Sequence, residues 1–153
     1  MRPTKIEYYL TIAEAVALRS TCLRRQYGAV IVKNDTIIST GYNGSARGEI
    51  NCCDVGECWR EAHNVPHGEQ YEKCRAVHAE MNAVINAAKP EMRNATLYLG
   101  GWINGAVMAD SVEPCLMCMR VLKNAGIKKV VVRDLSMPKG YKTFDISGRT
   151  QDE

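Results

Sequence analysis

Two short motifs in the 153-residue sequence contain residues that can bind a metal ion. His78 comes two residues before Glu80, and Cys115 and Cys118 form a Cys-X-X-Cys motif directly after Pro114. Thiolates three residues apart lie on one face of a helix, and one histidine completes a set of three zinc ligands. Three protein ligands leave a fourth position open for a water molecule, whose pKa the metal lowers. The spacing therefore predicts a catalytic zinc site made of His78, Cys115 and Cys118.

Glu80 has a different predicted role in the same site. It lies two residues after His78, so on a helix its side chain points away from that ligand. A carboxylate beside the water, and off the metal, can accept and deliver protons during a reaction. We therefore expect Glu80 to be the catalytic proton shuttle.

Each motif alone has an ordinary explanation. His-X-Glu is common on surface helices, and a lone Cys-X-X-Cys also occurs as a redox pair or as half of a structural zinc site. A redox pair is disfavoured because Cys115 does not follow the strand of a thioredoxin-like βαβ unit. Together and in this order, with proline before the first cysteine, the motifs form the signature of zinc-dependent nucleobase deaminases.

The elements that must position these motifs can be read from periodicity, caps and turns. Thr4 and Glu7 have the spacing of a capping box, Asn34-Asp35 marks a hairpin turn, and Pro90 stops a helical pattern. The predicted order is a helix over 4–21, a hairpin of 29–33 and 36–40, a helix over 78–89, a strand over 96–99, a helix over 114–125 and a strand over 127–133. This order predicts one domain over 1–153, an α/β fold with a three-layer α/β/α sandwich and a mixed sheet.

Two segments interrupt this pattern. Residues 41–75 lack periodicity and contain four of the seven cysteines and two of the three histidines. Residues 100–113 look like an insertion, with a hairpin turn at Asn104-Gly105. The tail after Asp134 is weakly patterned.

The composition narrows the class of protein. The net charge is +3 with no basic block, which disfavours a nucleic-acid-binding or membrane-binding surface. The N-terminal residues lack the pattern of a signal peptide, and no run of eighteen apolar residues occurs, so we expect a cytoplasmic protein. An odd number of cysteines in a reducing compartment favours metal ligation over a disulfide framework.

From about residue 22 to residue 133 the chain resembles the deoxycytidylate deaminase family of the cytidine deaminase superfamily. The segments that carry the resemblance are YGAVIVKNDTIISTGYNGSARG, VHAEMNAVINAAK, ATLYLG and PCLMCMRVLKNAGIKKVVV. The resemblance implies a cytidine deaminase-like fold and hydrolysis of dCMP to dUMP and ammonia. The alternatives are deamination of cytidine, deoxycytidine, a free base or adenosine in transfer RNA, or a zinc-stabilised binding module without catalysis.

The resemblance also assigns substrate contacts. Ala79 would contribute backbone to the base pocket, and Asn43 matches an asparagine that hydrogen-bonds the sugar, although an asparagine beside glycine also caps tight turns. Lys89 stands where relatives often have an arginine that could contact phosphate. The further candidates for that contact are Arg47, Arg24 and Arg25.

A second zinc site would account for the remaining cysteines. By resemblance, the ligands of a structural zinc in some family members match Cys22, Cys52 and Cys74, and Cys58 is our expected fourth ligand. Cys53, His63 and His67 are substitutes, and free cysteines also pack as small apolar residues.

Assembly and regulation are further expectations from the resemblance. Family members often form homo-oligomers, so a hexamer or dimer is expected, and dCTP and dTTP often act as effectors near the GYNG loop. Gly41, Gly44 and Gly48 suit a close approach of backbone to phosphate. The sequence differs from the family pattern at two places, which weakens the inference of an effector site and of dCMP specificity. Ala46 replaces the usual proline of the GYNG loop, and the insertion 100–113 lies beside the predicted active site.

Overall fold

The computed structural model describes residues 1–108 and 113–148. The described helices are α1 (Lys5–Ala17), α2 (Cys52–Val55), α3 (Trp59–Ala62), α4 (Ala79–Ile85), α5 (Lys89–Met92) and α6 (Leu116–Ala125), with a 3-10 turn at Tyr71–Lys73. The strands are β1 (Arg25–Lys33), β2 (Thr36–Tyr42), β3 (Gly44–Ser45), β4 (Ala76–Val77), β5 (Thr96–Ile103), β6 (Ala106–Val107), β7 (Lys129–Arg133) and β8 (Tyr141–Asp145). None of the helices in this part of the chain is long and apolar enough to cross a bilayer.

The main sheet is mixed, as predicted. Its strand order is β2-β1-β5-β7-β8, with β6 paired to β5. β5 and β7 pair in parallel, whereas β1 pairs antiparallel with both β2 and β5, and β8 pairs antiparallel with β7. The parallel pair is connected through α6, which is the usual way to join parallel strands.

Helices cover both faces of this sheet, which confirms the three-layer α/β/α sandwich. Alternate residues of a strand point to opposite faces. Along β1, Ala29 and Ile31 belong to a core cluster that includes residues of α4 and α6. Val30 and Val32 belong to a second cluster that contains Tyr9, Leu10 and Ala13 of α1. The alternating strand residues therefore supply two separate cores.

The first helix is shorter than predicted. Thr4 caps it as expected, because its hydroxyl accepts a hydrogen bond of 3.2 Å from the backbone N–H of Glu7. The helix ends at Ala17, where backbone bonds to the third preceding residue tighten the last turn. The chain then turns so that the Thr21 N–H donates to the carbonyl of Asn43. This tertiary hydrogen bond joins the end of the turn to the residue after β2.

The helix predicted over 78–89 is two helices. α4 ends at Ile85, and Pro90 lies in the first turn of α5 instead of stopping a helix. A proline is tolerated there because the first N–H groups of a helix have no intrahelical partner. The Nδ2 of Asn86, at the end of α4, donates to the carbonyl of Thr40 on β2.

The other differences concern strands. The Asn104-Gly105 turn forms, with positive φ at both residues, but its hairpin continues β5 without a break from Thr96 to Ile103. Of the insertion predicted over 100–113, residues 109–112 lie outside the described part of the chain. The weakly patterned tail contains an additional edge strand, β8, whose Phe144 packs against the first core cluster.

Candidate active site

Three predicted ligands come together in the structure. The ligand atoms of His78, Cys115 and Cys118 all lie within 4.8 Å of one another. The Nδ1 of His78 is 3.2 Å from the Sγ of Cys118 and 3.6 Å from the Sγ of Cys115. Within residues 1–108 and 113–148, this is the one group of three or more histidine, cysteine or acidic side chains that converges so closely.

Both motifs sit at helix N-termini, which the sequence also predicted. His78 is the N-cap of α4, and Cys115 is the N-cap of α6, where its Sγ accepts a hydrogen bond of 3.4 Å from the N–H of Cys118. Unpaired N–H groups and the helix dipole make these ends electropositive. Two helix ends therefore favour anionic thiolates at the point where the ligands meet.

The position of α4 depends on a very close approach of helix to strand. A Cβ atom built on Gly41 of β2 would lie 2.3 Å from the backbone nitrogen of Ala83 and 2.5 Å from the carbonyl oxygen of Ala79. The sequence suggested that Gly41 allows close approach of a phosphate, but the backbone that approaches it is that of α4. This contact holds the first turn of α4, which carries Glu80, against the sheet.

Two more contacts fix the start of α4. β4 ends one residue before His78 and pairs with β3, with Gly44 opposite Val77. The Nδ2 of Asn82 donates to the carbonyl of Tyr42 at 2.8 Å. The GYNG segment thus supports His78, the predicted metal ligand, from the side of the sheet.

Glu80 lies beside the ligand cluster, as predicted. Its side chain is 6% exposed, and the Sγ of Cys118 donates to its Oε2 at 3.4 Å. Burial, followed by the neighbouring Glu80 carboxylate, raises the pKa of the Cys118 thiol. A divalent cation would reverse this effect because its charge favours the thiolate.

The donor set fits zinc. One imidazole nitrogen and two sulfurs are typical ligands of catalytic zinc, and bond lengths of about 2.0 and 2.3 Å place such ligands roughly 3.6 Å apart around a tetrahedral ion. The two nitrogen–sulfur distances of 3.2 and 3.6 Å are close to that value.

The cluster opens into a cavity of about 810 Å³. Its wall includes the predicted site residues Asn43, Ala79 and Glu80 together with His78 and Cys115. Ala79 is 1% exposed and is the first residue of α4. A cavity of this size can hold a small-molecule substrate.

Asn43 is held by the backbone of β1. Its Oδ1 accepts from the N–H of Tyr27 at 2.8 Å, and its Nδ2 donates to the carbonyl of Arg25 at 2.9 Å. Because an amide has two donors, one Nδ2 hydrogen remains for a substrate hydroxyl. Asn43 therefore connects the end of β2 to β1 and also faces the cavity.

The basic residues that are candidates for the phosphate contact differ in whether they line the cavity. Arg24 and Arg25 line the cavity, whereas Lys89, on α5, and Arg47 are exposed and are not part of the described wall. The Nε of Arg24 is 2.8 Å from the Oε1 of Glu61. A hydrogen bond with Tyr27 is the main cause that raises the pKa of Arg25.

Arg60 is a cavity residue that the sequence analysis did not find. It is 6% exposed, lies on α3, and contributes to the same wall as Arg25 and Tyr71. It lies in the aperiodic segment, where spacing does not indicate which side chains turn inward. Only the fold of the segment identifies it.

The remaining cysteines lie in and around the segment 46–75, which we call the cysteine loop. Cys22, Cys58 and Cys74 line the cavity. Burial raises the pKa of the Cys52 thiol, and electrostatic interactions with Cys22, Cys74 and Cys58 raise it further. The four predicted ligands are thus neighbours, although their sulfurs do not converge as closely as the ligand atoms of His78, Cys115 and Cys118, which we call the catalytic cluster for its predicted role.

The three alternative ligands have other surroundings. Cys53 is exposed beside Asp54. The ring of His63 stacks on Trp59 with centroids 4.2 Å apart, and its Nδ1 is 2.8 Å from the Trp59 carbonyl. His67 lines the cavity near Tyr71.

Comparison with known proteins shows a similarity that covers most of the chain. Residues 3–134 match the family described as "Cytidine and deoxycytidylate deaminase zinc-binding region". The chain belongs to this family. A deoxycytidylate deaminase of Mycobacterium phage D29 is 37% identical over 134 residues, which cover 85% of this chain and 94% of that protein.

Other members of the family differ in length. The deoxycytidylate deaminase of Schizosaccharomyces pombe is 35% identical over 85% of this chain, but the match spans only 37% of that protein. A crystal structure of dCMP deaminase from the cyanophage S-TIM5, in complex with dCMP and dUMP, superposes with a TM-score of 0.60 and 29% identity. That match covers 88% of this chain and 84% of the cyanophage enzyme.

Proposed function

We propose that this protein is a zinc-dependent deaminase that hydrolyses dCMP to dUMP and ammonia. The observation that carries the proposal is the convergence of His78, Cys115 and Cys118 at two helix N-termini, with the buried carboxylate of Glu80 beside them. A structural metal site has no need of that carboxylate. The alternative of a binding module without catalysis is therefore disfavoured.

The reaction requires proton transfer at several atoms of the substrate. Hydrolysis replaces the amino group of the base by oxygen from water, and the nitrogen leaves as ammonia. When bound, zinc supplies Lewis-acid activation of water at neutral pH. Glu80 accepts one proton from the water and passes it to a ring nitrogen, and it then takes the second proton from the added hydroxyl group and delivers it to the departing amine, which leaves as ammonia. Its burial next to Cys118 keeps the carboxylate within reach of these positions.

Substrate binding is assigned to residues of the cavity wall. The backbone of Ala79 borders the base, and the free Nδ2 hydrogen of Asn43 donates to the sugar. Lys89 remains the phosphate contact proposed from the resemblance, but its exposed position outside the described wall favours Arg24 or Arg25. The nucleotide named in the cyanophage complex supports dCMP as the substrate.

We also propose a second, structural zinc ion held by Cys22, Cys52, Cys58 and Cys74. The electrostatic interactions of Cys52 with the other three thiols support this set. Metal binding would bring the four sulfurs to zinc-ligand distances and would supply folding free energy for the cysteine loop.

Assembly, regulation and location follow from the resemblance. From the resemblance we expect a homo-oligomer, a dimer or hexamer. Leu116 and Met117, which line the cavity and are 76% and 52% exposed, are candidates for a subunit contact. Effector binding by dCTP or dTTP and a cytoplasmic location stay predictions.

The decisive experiment measures ammonia release from dCMP and from deoxycytidine with zinc-replete protein. We expect turnover of dCMP, and a fall of about 100-fold or more in kcat for Glu80→Ala, because a general acid–base group contributes 10²–10⁴-fold. Glu91→Ala, on the exposed surface of α5, is the matched control and should keep wild-type kcat. Zinc content should be unchanged in both variants.

Other outcomes would contradict the proposal. Turnover of deoxycytidine without dCMP would replace the nucleotide by the nucleoside as substrate. Appreciable turnover by Glu80→Ala with bound zinc would remove the proton-shuttle role.

A further inference from the structure

Arg60 is a buried cation on the cavity wall without a carboxylate partner among the residues that the structure describes. Its Nη2 donates to the carbonyls of Pro66 and Glu69 at 2.9 and 3.0 Å. Its Nε is buried and has no hydrogen-bond partner in the same part of the chain. Both carbonyls are neutral, so they orient the guanidinium without balancing its charge.

The guanidinium of Arg60 lies over the ring of Tyr71. The guanidinium carbon of Arg60 lies 4.3 Å from the centroid of the Tyr71 ring. Arg25 is also close enough to Tyr71 to interact with it electrostatically. Arg60, Tyr71 and Arg25 all line the cavity that contains the metal ligands.

Arg24, the third arginine of the cavity wall, differs from Arg60 and Arg25 in having a carboxylate partner. Arg24 is paired with Glu61, so its charge is already balanced. Burying an unpaired charge is costly, and a guanidinium binds phosphate oxygens through charge-assisted hydrogen bonds. Arg60 thus brings to the cavity wall a charge that no carboxylate among the described residues balances and an Nε donor that none of them uses.

We infer that Arg60 determines specificity by binding the phosphate group of the nucleotide substrate, with Arg25 as the second cation. The inference rests on the proposed function because it assumes a nucleotide in the cavity. It makes the cysteine loop part of the substrate site, since α3 lies within that loop. Deoxycytidine lacks the phosphate and gains nothing from Arg60.

The test compares dCMP with deoxycytidine in Arg60→Gln, which removes the charge and keeps a donor for the two carbonyls. We expect the KM for dCMP to rise about 10- to 100-fold, the effect of losing a hydrogen bond to a charged group. The kcat for dCMP and the kcat/KM for deoxycytidine should change less than about twofold on this basis. Arg93→Gln, exposed at the end of α5, is the matched control and should leave all parameters unchanged.

A purely structural role for Arg60 gives a different result. If Arg60 only holds the carbonyls of Pro66 and Glu69, both substrates lose activity in parallel and the melting temperature falls. That result, or an unchanged KM for dCMP, overturns the inference. Should Arg60→Gln not fold, Arg60→Lys is the second variant: lysine keeps the charge but not the planar guanidinium, so the KM for dCMP should still rise, by about tenfold or less, with deoxycytidine turnover unchanged.

Failure of the proposed function can be separated from failure of this inference. If the wild-type protein turns over neither compound, binding of dUMP and of inorganic phosphate is measured by calorimetry. Binding to the wild type that weakens at least tenfold in Arg60→Gln supports the phosphate contact without any catalysis. Equal binding by both proteins overturns it.

Discussion

The catalytic cluster and the cysteine loop border the same cavity but are held in different ways. His78 and Cys115 are N-caps of helices that pack on the sheet, and their ligand atoms lie within 4.8 Å of those of Cys118. In contrast, Cys22 and Cys74 lie outside regular helices, and Cys58 precedes a helix of only four residues. The comparison indicates that helices packed on the sheet hold the first site, whereas little regular secondary structure holds the cysteines; with the proposed second zinc, the cysteine loop would depend on that metal for order.

The largest effects are expected when one cysteine of the catalytic cluster and one of the cysteine loop are each replaced by serine. We expect Cys118→Ser to remove the catalytic metal and to lower kcat by about 10³-fold or more, since the three-ligand zinc site no longer forms. We expect Cys58→Ser to lower zinc content by one ion per chain and the melting temperature by roughly 5 °C or more, with most of kcat retained. Metal analysis, calorimetry and ammonia release measure the three quantities.

Cys53→Ser is the control for this pair because Cys53 is an exposed thiol in the same loop. It should change neither zinc content nor melting temperature. One zinc per wild-type chain, or a Cys58→Ser protein with unchanged stability, would contradict the structural zinc site.

A smaller effect is expected where the sheet contacts α4. Gly41→Ala places a Cβ against the backbone of Ala79 and Ala83, so α4 must move away from β2. Overpacking of this kind costs about 1–3 kcal/mol in the free energy of unfolding. Displacement of Glu80 by about 1 Å can lower kcat by about 100-fold, which steady-state kinetics at a temperature well below unfolding would measure.

Gly148→Ala is the matched control because a Cβ at Gly148 meets nothing within 4 Å. Its kcat and its stability should equal those of the wild type. If Gly41→Ala also keeps wild-type kcat, the close contact between β2 and α4 does not position the catalytic carboxylate.

The sequence was sufficient to predict the convergence of the catalytic cluster, but not to predict which side chains line the rest of the cavity. The convergence of His78, Glu80, Cys115 and Cys118 could be predicted because local helix caps and short spacings bring these residues together. The split between α4 and α5 was missed because Pro90 fits both a helix stop and a helix start. Local patterns do not distinguish these two uses of proline.

Arg60 and β8 were missed for different reasons. Arg60 is turned inward by contacts with Tyr71 and two carbonyls, and these tertiary contacts leave no periodicity in the sequence. β8 is a short edge strand whose pairing with β7 provides its order. Lys89, predicted from its place in a motif to contact phosphate, lies on the exposed helix α5 after the break at the end of α4, and its role stays a prediction.

The smallest expected effect concerns the side of the sheet that α1 covers. The Nη1 and Nη2 of Arg133 lie 2.7 and 2.8 Å from the carboxylate of Glu7, while its Nε is 2.7 Å from Glu14. Hydrogen bonds from Arg133 hold the pKa of Glu7 below its unperturbed value of 4.5. The stabilising pair is therefore complete above pH 4.5 and is lost as pH falls through the lowered pKa.

Glu7→Gln tests the contribution of this pair to stability. It also tests whether the sheet and the cysteine loop are stabilised independently. The wild type should be more stable than the variant at pH 6–7 by about 1 kcal/mol or less, because the Glu7 side chain is 43% exposed and solvent screens the pair. That difference should shrink below pH 4.5 in thermal unfolding experiments. A chelator at pH 7 should destabilise the cysteine loop in both proteins but leave the difference between them unchanged, because no metal holds Arg133. A difference that disappears with chelator would mean that α1 and the cysteine loop unfold as one metal-dependent unit.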